Sequence, residues 1–106
     1  DEILNVLMKI IMPLLPMSLV SLGIYNLCDI KYLDGKWLQH LTSLESLDIS
    51  NACKLESLPE EGLPSSLSVL AIEDCPLLEA SCSNGGKEWP KISHIPCLII
   101  NWKVII

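Results

Sequence analysis

Hydrophobic residues recur along the chain with one fixed spacing. The segment Leu44-x-x-Leu47-x-Ile49 places three apolar residues at intervals of three and two, and the segment starting at Leu67 repeats this frame. The same spacing fits segments that begin at residues 19 and 95, so the frame starts lie at 19, 44, 67 and 95, with periods of 25, 23 and 28 residues. Self-similarity at such a period predicts one structural unit that is repeated along the chain.

The spacing within each frame indicates a β-strand with one apolar side. Leu47 and Ile49 are two positions apart and point to one face of an extended strand, while Asp48 and Ser50 point to the other. One such strand cannot bury its apolar side alone, so successive strands must stack. Spacing and period match the leucine-rich repeat. We therefore predict an α/β leucine-rich-repeat solenoid over residues 1–106, with a parallel β-sheet on the concave side, irregular or 3₁₀ convex segments, and a capping repeat near residue 95.

The segments between the predicted strands favour turns over regular helix. Residues 58–66 hold two prolines and a glycine, whereas residues 34–41 lack proline and are compatible with a short helical turn. A small residue, Ala52 or Cys75, follows the strand where close packing is expected, and Trp89 is expected to cover the apolar end of the last repeat. The apolar residues predicted to close the core behind the strands are Ile30, Leu33, Leu55, Leu58, Leu77 and Leu78.

The polar side of the predicted strands is the candidate binding surface. It would form the concave face, which repeat proteins commonly use to bind partners. Asp48, Glu73 and Asp74 would make this face acidic and favour a basic partner, and Tyr25 offers an aromatic anchor. The alternative is that these residues are simply solvated. The predicted partner-binding residues are Gly23, Tyr25, Asp48, Ser50, Ala71, Glu73, Ile99 and Asn101.

Composition and charge argue against two classes of partner. The formal net charge is -6, and all seven basic residues are lysines, so the chain lacks both the positive charge and the arginines that nucleic-acid recognition uses. The most apolar stretch, residues 10–24, is interrupted by Pro13 and Pro16 and is shorter than the roughly 20 apolar residues that span a bilayer. We expect neither nucleic-acid binding nor a membrane span.

The sequence gives little support for a catalytic site or a metal site. Cys75, Cys82, His94 and Cys97 could be considered as zinc ligands, but they contain no closely spaced cysteine pair and fit packed thiols better. Nothing in the sequence places a histidine beside a particular cysteine as a catalytic base. The pair Glu60-Glu61 fits a solvated loop, and Gly85-Gly86-Lys87 lacks the rest of a phosphate-binding loop. The chain is expected to be no enzyme and to hold no cofactor or metal.

Three segments resemble the C-terminal repeats of plant disease resistance proteins of the coiled-coil, nucleotide-binding, leucine-rich-repeat class. They cover residues 58–67, residues 72–79 and residues 89–96, the last reading Trp-Pro-Lys-Ile-Ser-His-Ile-Pro. The turns at Asn51-Ala52-Cys53 and Leu27-Cys28 depart from that pattern. The resemblance implies a protein-interaction module of an intracellular immune receptor that contributes to effector recognition and the defence response. Its implied partners are a pathogen effector or a guarded host protein, and the nucleotide-binding module of the full-length receptor.

Two further hypotheses remain open. The chain could be a purely structural C-terminal cap of the solenoid, with recognition done by upstream repeats. A secreted ectodomain is a weaker alternative, because the five cysteines are an odd number and no Asn-x-Ser/Thr sequon occurs. These two features favour a cytoplasmic location.

Overall fold

The chain folds into an α/β structure around one five-stranded sheet. The computed structural model describes residues 11, 14–27, 30–33, 38–59, 63–82 and 86–105. Strands β1 (Ser21–Tyr25), β2 (Ser46–Ser50), β3 (Val69–Glu73) and β4 (Cys97–Ile100) are parallel neighbours in chain order, and β5 (Lys103–Val104) pairs antiparallel with β4. Helices α1 (Pro76–Cys82) and α2 (Trp89–Ile92) lie between β3 and β4. The predicted α/β class and the parallel sheet are confirmed.

The four apolar frames lie in register across this sheet. Equivalent frame residues are direct neighbours on adjacent strands, so the side chains stack in two rows behind the sheet. Leu98 pairs with Leu70 and Ile100 with Ile72, as expected for the last repeat. One row is Leu22, Leu47, Leu70 and Leu98, and the other is Ile24, Ile49, Ile72 and Ile100.

The segments that follow the strands complete the core. Ala52 and Cys75 are both fully buried, which agrees with the need for a small residue after each strand. Six residues were predicted to close the core, and the prediction is wrong for Leu77, because its side chain is 47% exposed. It precedes the buried Leu78 in α1, and neighbouring residues of a helix point in different directions. The other five are buried: Ile30, Leu33, Leu55, Leu58 and Leu78.

The segment between β3 and β4 differs from the predicted irregular structure, because it contains α1 and α2. Pro76 occupies the first position of α1, where its missing N–H costs nothing, and the Glu79 carboxylate accepts a hydrogen bond of 2.8 Å from the backbone N–H of Cys75. Trp89 is half-buried at the start of α2 and packs against the core. Between β2 and β3, the described residues contain no helix, in agreement with the prediction. The helical turn considered for residues 34–41 falls partly outside the described residues, as do Glu60 and Glu61.

A hairpin that the sequence reasoning did not predict ends the sheet. Asn101 and Trp102 connect β4 to β5 with φ angles of 48° and 69°. Two consecutive residues with positive φ in a two-residue loop correspond to a type I′ turn, which matches the twist of the strands. The antiparallel β5 therefore covers the edge of β4 that would otherwise be open.

Candidate functional site

The eight residues predicted to bind partners come together on the side of the sheet opposite the core, which we call the outward face. Gly23, Asp48, Ala71 and Ile99 form one row of direct neighbours, and Tyr25, Ser50 and Glu73 form the next. Asn101 follows β4 at the start of the hairpin. All eight are exposed or half-buried. The arrangement follows from strand alternation, since burial of the leucine and isoleucine rows leaves the intervening positions on the other side.

Tyr25 lies across the first row of this face. A β-carbon added at Gly23 would lie only 2.6 Å from Cζ of the Tyr25 ring, so the ring occupies the space that the glycine leaves open. The Tyr25 hydroxyl donates a hydrogen bond of 3.4 Å to Oδ2 of Asp48 on the neighbouring strand. With 57% of the residue exposed, the ring offers apolar surface in a fixed position.

The centre of the outward face carries negative charge. Burial raises the pKa of the Glu73 carboxyl, and repulsion from Asp48 and Asp74 raises that pKa further. The Oδ1 atom of Asp48 is buried and accepts no hydrogen bond from the residues that the structure describes. A positively charged group from a partner would relieve both conditions.

A row of residues in the left-handed conformation follows the parallel strands. Asn26, Asn51 and Asp74 have φ angles of 61°, 56° and 52°, each at the residue after its strand. Asn and Asp tolerate this conformation better than most residues. The Asn51 side-chain amide donates to Oδ1 of Asn26 at 2.7 Å, and Asn101 accepts a hydrogen bond of 3.1 Å from the backbone N–H of Asp74. These contacts fix the edge of the outward face.

Trp102 was missed by the sequence reasoning. It is 80% exposed and stands at the tip of the hairpin, next to the predicted Asn101. The only sequence signal was an Asn-Trp dipeptide where a type I′ turn prefers Asn-Gly. The β5 strand that follows this turn has only two residues, too few to show the alternation of apolar and polar residues by which a strand is recognised in a sequence.

Of the three cysteines considered as metal ligands, Cys75 and Cys82 are buried in the core and Cys97 is half-buried. The Cys75 thiol donates to the carbonyl oxygen of Glu73 at 3.1 Å. Burial raises the pKa of the Cys82 thiol to about 12, with a further contribution from Glu88. In the described part of the chain, no three His, Cys, Asp or Glu side chains cluster as a metal ion would require. Cys75 and Cys82 are therefore protonated core residues.

No helix within the described ranges has the length and apolar character needed to cross a membrane.

Comparison with known proteins found similarity to part of one much longer plant protein. The chain is 33% identical over 91 residues to a protein of Arabidopsis thaliana named "Putative disease resistance protein At3g14460". The aligned region covers 86% of this chain and 6% of that relative, so the chain spans only a small part of it. No family model matches the chain. No solved structure matches it either. The similarity is consistent with a role in plant defence.

Proposed function

We propose that the chain is the C-terminal leucine-rich-repeat region of a plant disease resistance protein of the coiled-coil, nucleotide-binding, leucine-rich-repeat class. In this proposal it is a protein-interaction module that contributes to effector recognition. The observation that carries the proposal is the register of the four frames. Residues 23–28 positions apart in sequence become direct neighbours in the sheet, which is the relation expected of stacked repeats in a solenoid.

The outward face is the proposed binding surface. Its half-buried positions and the exposed Tyr25 lie on adjacent strands, so a partner could contact several repeats at once. Most exposed side chains of this face have no part in the core and can change at little cost to the fold, which suits recognition of variable partners. The proposed partners are a pathogen effector or a guarded host protein, and the nucleotide-binding module of the same receptor.

We propose no catalytic role for the chain and no cofactor. In this proposal the chain acts through surface contacts with other proteins alone, within the cytoplasm. The buried, protonated thiols of Cys75 and Cys82 support this view, because neither is available as a nucleophile or a ligand.

A second candidate function is a structural cap. The antiparallel pairing of β5 with β4 favours it, because a parallel stack ends at this hairpin. In that case recognition would be done by upstream repeats, and this region would keep the solenoid soluble.

Substitutions in the full-length receptor separate the two candidates. One variant carries Tyr25→Ala and Glu73→Lys on the outward face. The matched control carries Tyr32→Ala and Glu56→Lys, the same changes at exposed residues of the segments between strands. Effector-triggered cell death in leaf tissue is scored, and receptor accumulation is measured by immunoblot.

If the outward face binds a partner, the first variant loses the response at normal accumulation while the control keeps it. A normal response from both variants would contradict the binding role and favour the cap. A loss of accumulation in the first variant alone would place Tyr25 or Glu73 in the stability of the fold.

A further inference from the structure

Trp102 combines exposure with an unfavourable backbone conformation. Its φ of 69° lies in the left-handed region, where a bulky side chain is disfavoured, and its side chain is 80% exposed. Glycine would relieve the backbone strain at this turn position. An exposed indole contributes little to packing, so the fold gains nothing evident from tryptophan here. Strained backbone with no packing benefit points to a role in function.

The hairpin that carries Trp102 is held firmly. The Asn101 side chain accepts a hydrogen bond from the backbone of Asp74 and donates one to the carboxylate of Glu79 in α1. Its backbone N–H donates to Ile72 at 2.9 Å, and the N–H of Ile105 donates to Leu98 at 2.7 Å. Trp102 is therefore presented from a fixed base, which lowers the entropy lost on binding.

The surface around the hairpin is both apolar and acidic. Val104 is 68% exposed on the outward face, where it pairs with Ile99. Ile105 is 48% exposed on the other side of the hairpin, where it lines a groove of about 660 Å³. The groove is lined by Pro76, Glu79, Ala80, Ile100, Asn101, Lys103 and Ile105. The backbone N–H of Asp74 and the carboxylate of Glu79 both bond to the Asn101 side chain, so two acidic residues lie beside the hairpin. Lys103 supplies one opposing charge.

We propose that the β4–β5 hairpin docks a protein segment in which arginine or lysine stands beside aliphatic side chains, with Trp102 as the aromatic anchor. The cation of such a segment would lie over the indole face while its aliphatic neighbours cover Val104 on the outward face. The negative charges of Asp74 and Glu79, the two acidic residues beside the hairpin, complement this cation and oppose phosphate-bearing partners, whether nucleic acid or anionic lipid. This inference rests on the proposed protein-binding function and assigns the chemistry of a partner.

The test uses the 106-residue chain and defined peptides. The probe is a short fluorescent peptide that alternates arginine and leucine. Two matched peptides replace every arginine by glutamate or every leucine by glycine. Affinity is measured by fluorescence anisotropy at low and high salt, and ¹⁹F NMR of fluorotryptophan-labelled protein reports which of the three tryptophans senses the peptide.

The arginine–leucine peptide should shift the Trp102 resonance and bind more tightly than both matched peptides, with an affinity that falls as salt is raised. Trp102→Gly should weaken binding at least about tenfold, as expected for an anchor residue, while raising the melting temperature because the turn strain is relieved. Asp74→Asn should weaken binding several-fold at low salt and keep a residue that tolerates positive φ. The control Tyr32→Ala removes a 61% exposed ring elsewhere and should leave the affinity unchanged.

Unchanged affinity in Trp102→Gly, or equal binding of the glutamate peptide, would overturn the proposal. A Trp102 shift that depends on protein concentration without peptide would also overturn it, since the hairpin would then bind a second copy of the chain. The leaf assay above distinguishes this failure from failure of the proposed function. If the cell-death response requires Tyr25 and Glu73 while peptide affinity does not depend on Trp102, only the docking inference fails.

Discussion

Replacing Glu88 by alanine should lower the free energy of unfolding more than any other single acidic substitution on the described part of the chain. Glu88 is 1% exposed and precedes α2. Its Oε1 atom accepts a hydrogen bond of 2.5 Å from the backbone N–H of Leu58 and lies 3.1 Å from the ammonium nitrogen of Lys91. Lys91 in turn donates to the carbonyl oxygen of Leu58 at 3.0 Å. The pair thus holds the segment after β2 against the start of α2.

The magnitude follows from the groups that lose their partner. Alanine leaves the buried N–H of Leu58 without its acceptor, a cost of about 1–3 kcal/mol. It also takes the counter-charge from a lysine side chain that is 16% exposed, and breaking a buried ion pair costs about 3–5 kcal/mol in total. Glu88→Gln keeps an oxygen acceptor and should cost clearly less. The exposed Glu56 is a matched control, and Glu56→Ala should stay within about 0.5 kcal/mol.

Urea unfolding followed by circular dichroism measures these differences, provided that the m-value is unchanged. A double-mutant cycle of Glu88→Gln and Lys91→Met should give a coupling of about 1 kcal/mol or more. If Glu88→Ala unfolds too readily to be measured, the glutamine variant and the cycle still decide the question. Equal midpoints for Glu88→Ala and Glu56→Ala would refute the assigned role of the ion pair.

Three further outcomes can be measured on the same protein. Leu70→Ala should cost about 2–5 kcal/mol in urea unfolding, because Leu70 is fully buried in the central strand. Asn51→Ala should cost about 1–2 kcal/mol more than Asn51→Gly, because only glycine adopts its φ of 56° freely; equal costs would exclude backbone strain as the cause. The raised pKa of Glu73 means that the folded state holds this proton more tightly than the unfolded state, so the contribution of Glu73 to stability increases as the pH falls through the folded pKa towards the ordinary value of 4.5. Asp48→Asn should lower the Glu73 pKa in an NMR titration, and an unchanged pKa would contradict the assigned repulsion.

The sheet could be predicted from the sequence because each frame repeats the same local information. Leucine and isoleucine two positions apart define the strand, and the period of 23–28 residues brings equivalent frames together. The outward face followed from the same alternation. The sheet therefore depends on many weak and mutually consistent signals, so a single departure such as Ala52-Cys53 after β2 did not obscure it.

The features that were missed depend on single residues or on contacts distant in sequence. The contact between Glu88 and Leu58 joins residues 30 positions apart and has no local signature. Helix α1 did carry a local signal, Pro76 followed by Glu79, but its seven residues are shorter than the windows in which helical periodicity is recognised. The hairpin at Trp102 was hidden because glycine, the usual sign of such a turn, is absent.

At most positions of the strands, residues on the core side determine stability, and residues on the outward face are the ones proposed to bind a partner. A change in the leucine row should alter the free energy of unfolding, whereas a change at an exposed position of the outward face should alter binding with little effect on the fold. Trp102 differs from both groups, because the proposed binding side chain occupies a backbone conformation that favours glycine. Stability and binding should therefore change in opposite directions there. If a variant gains stability and loses affinity, the original residue is present for its contacts with a partner. Substitution of a core residue or of a merely solvated residue of the sheet would not give this combination of effects.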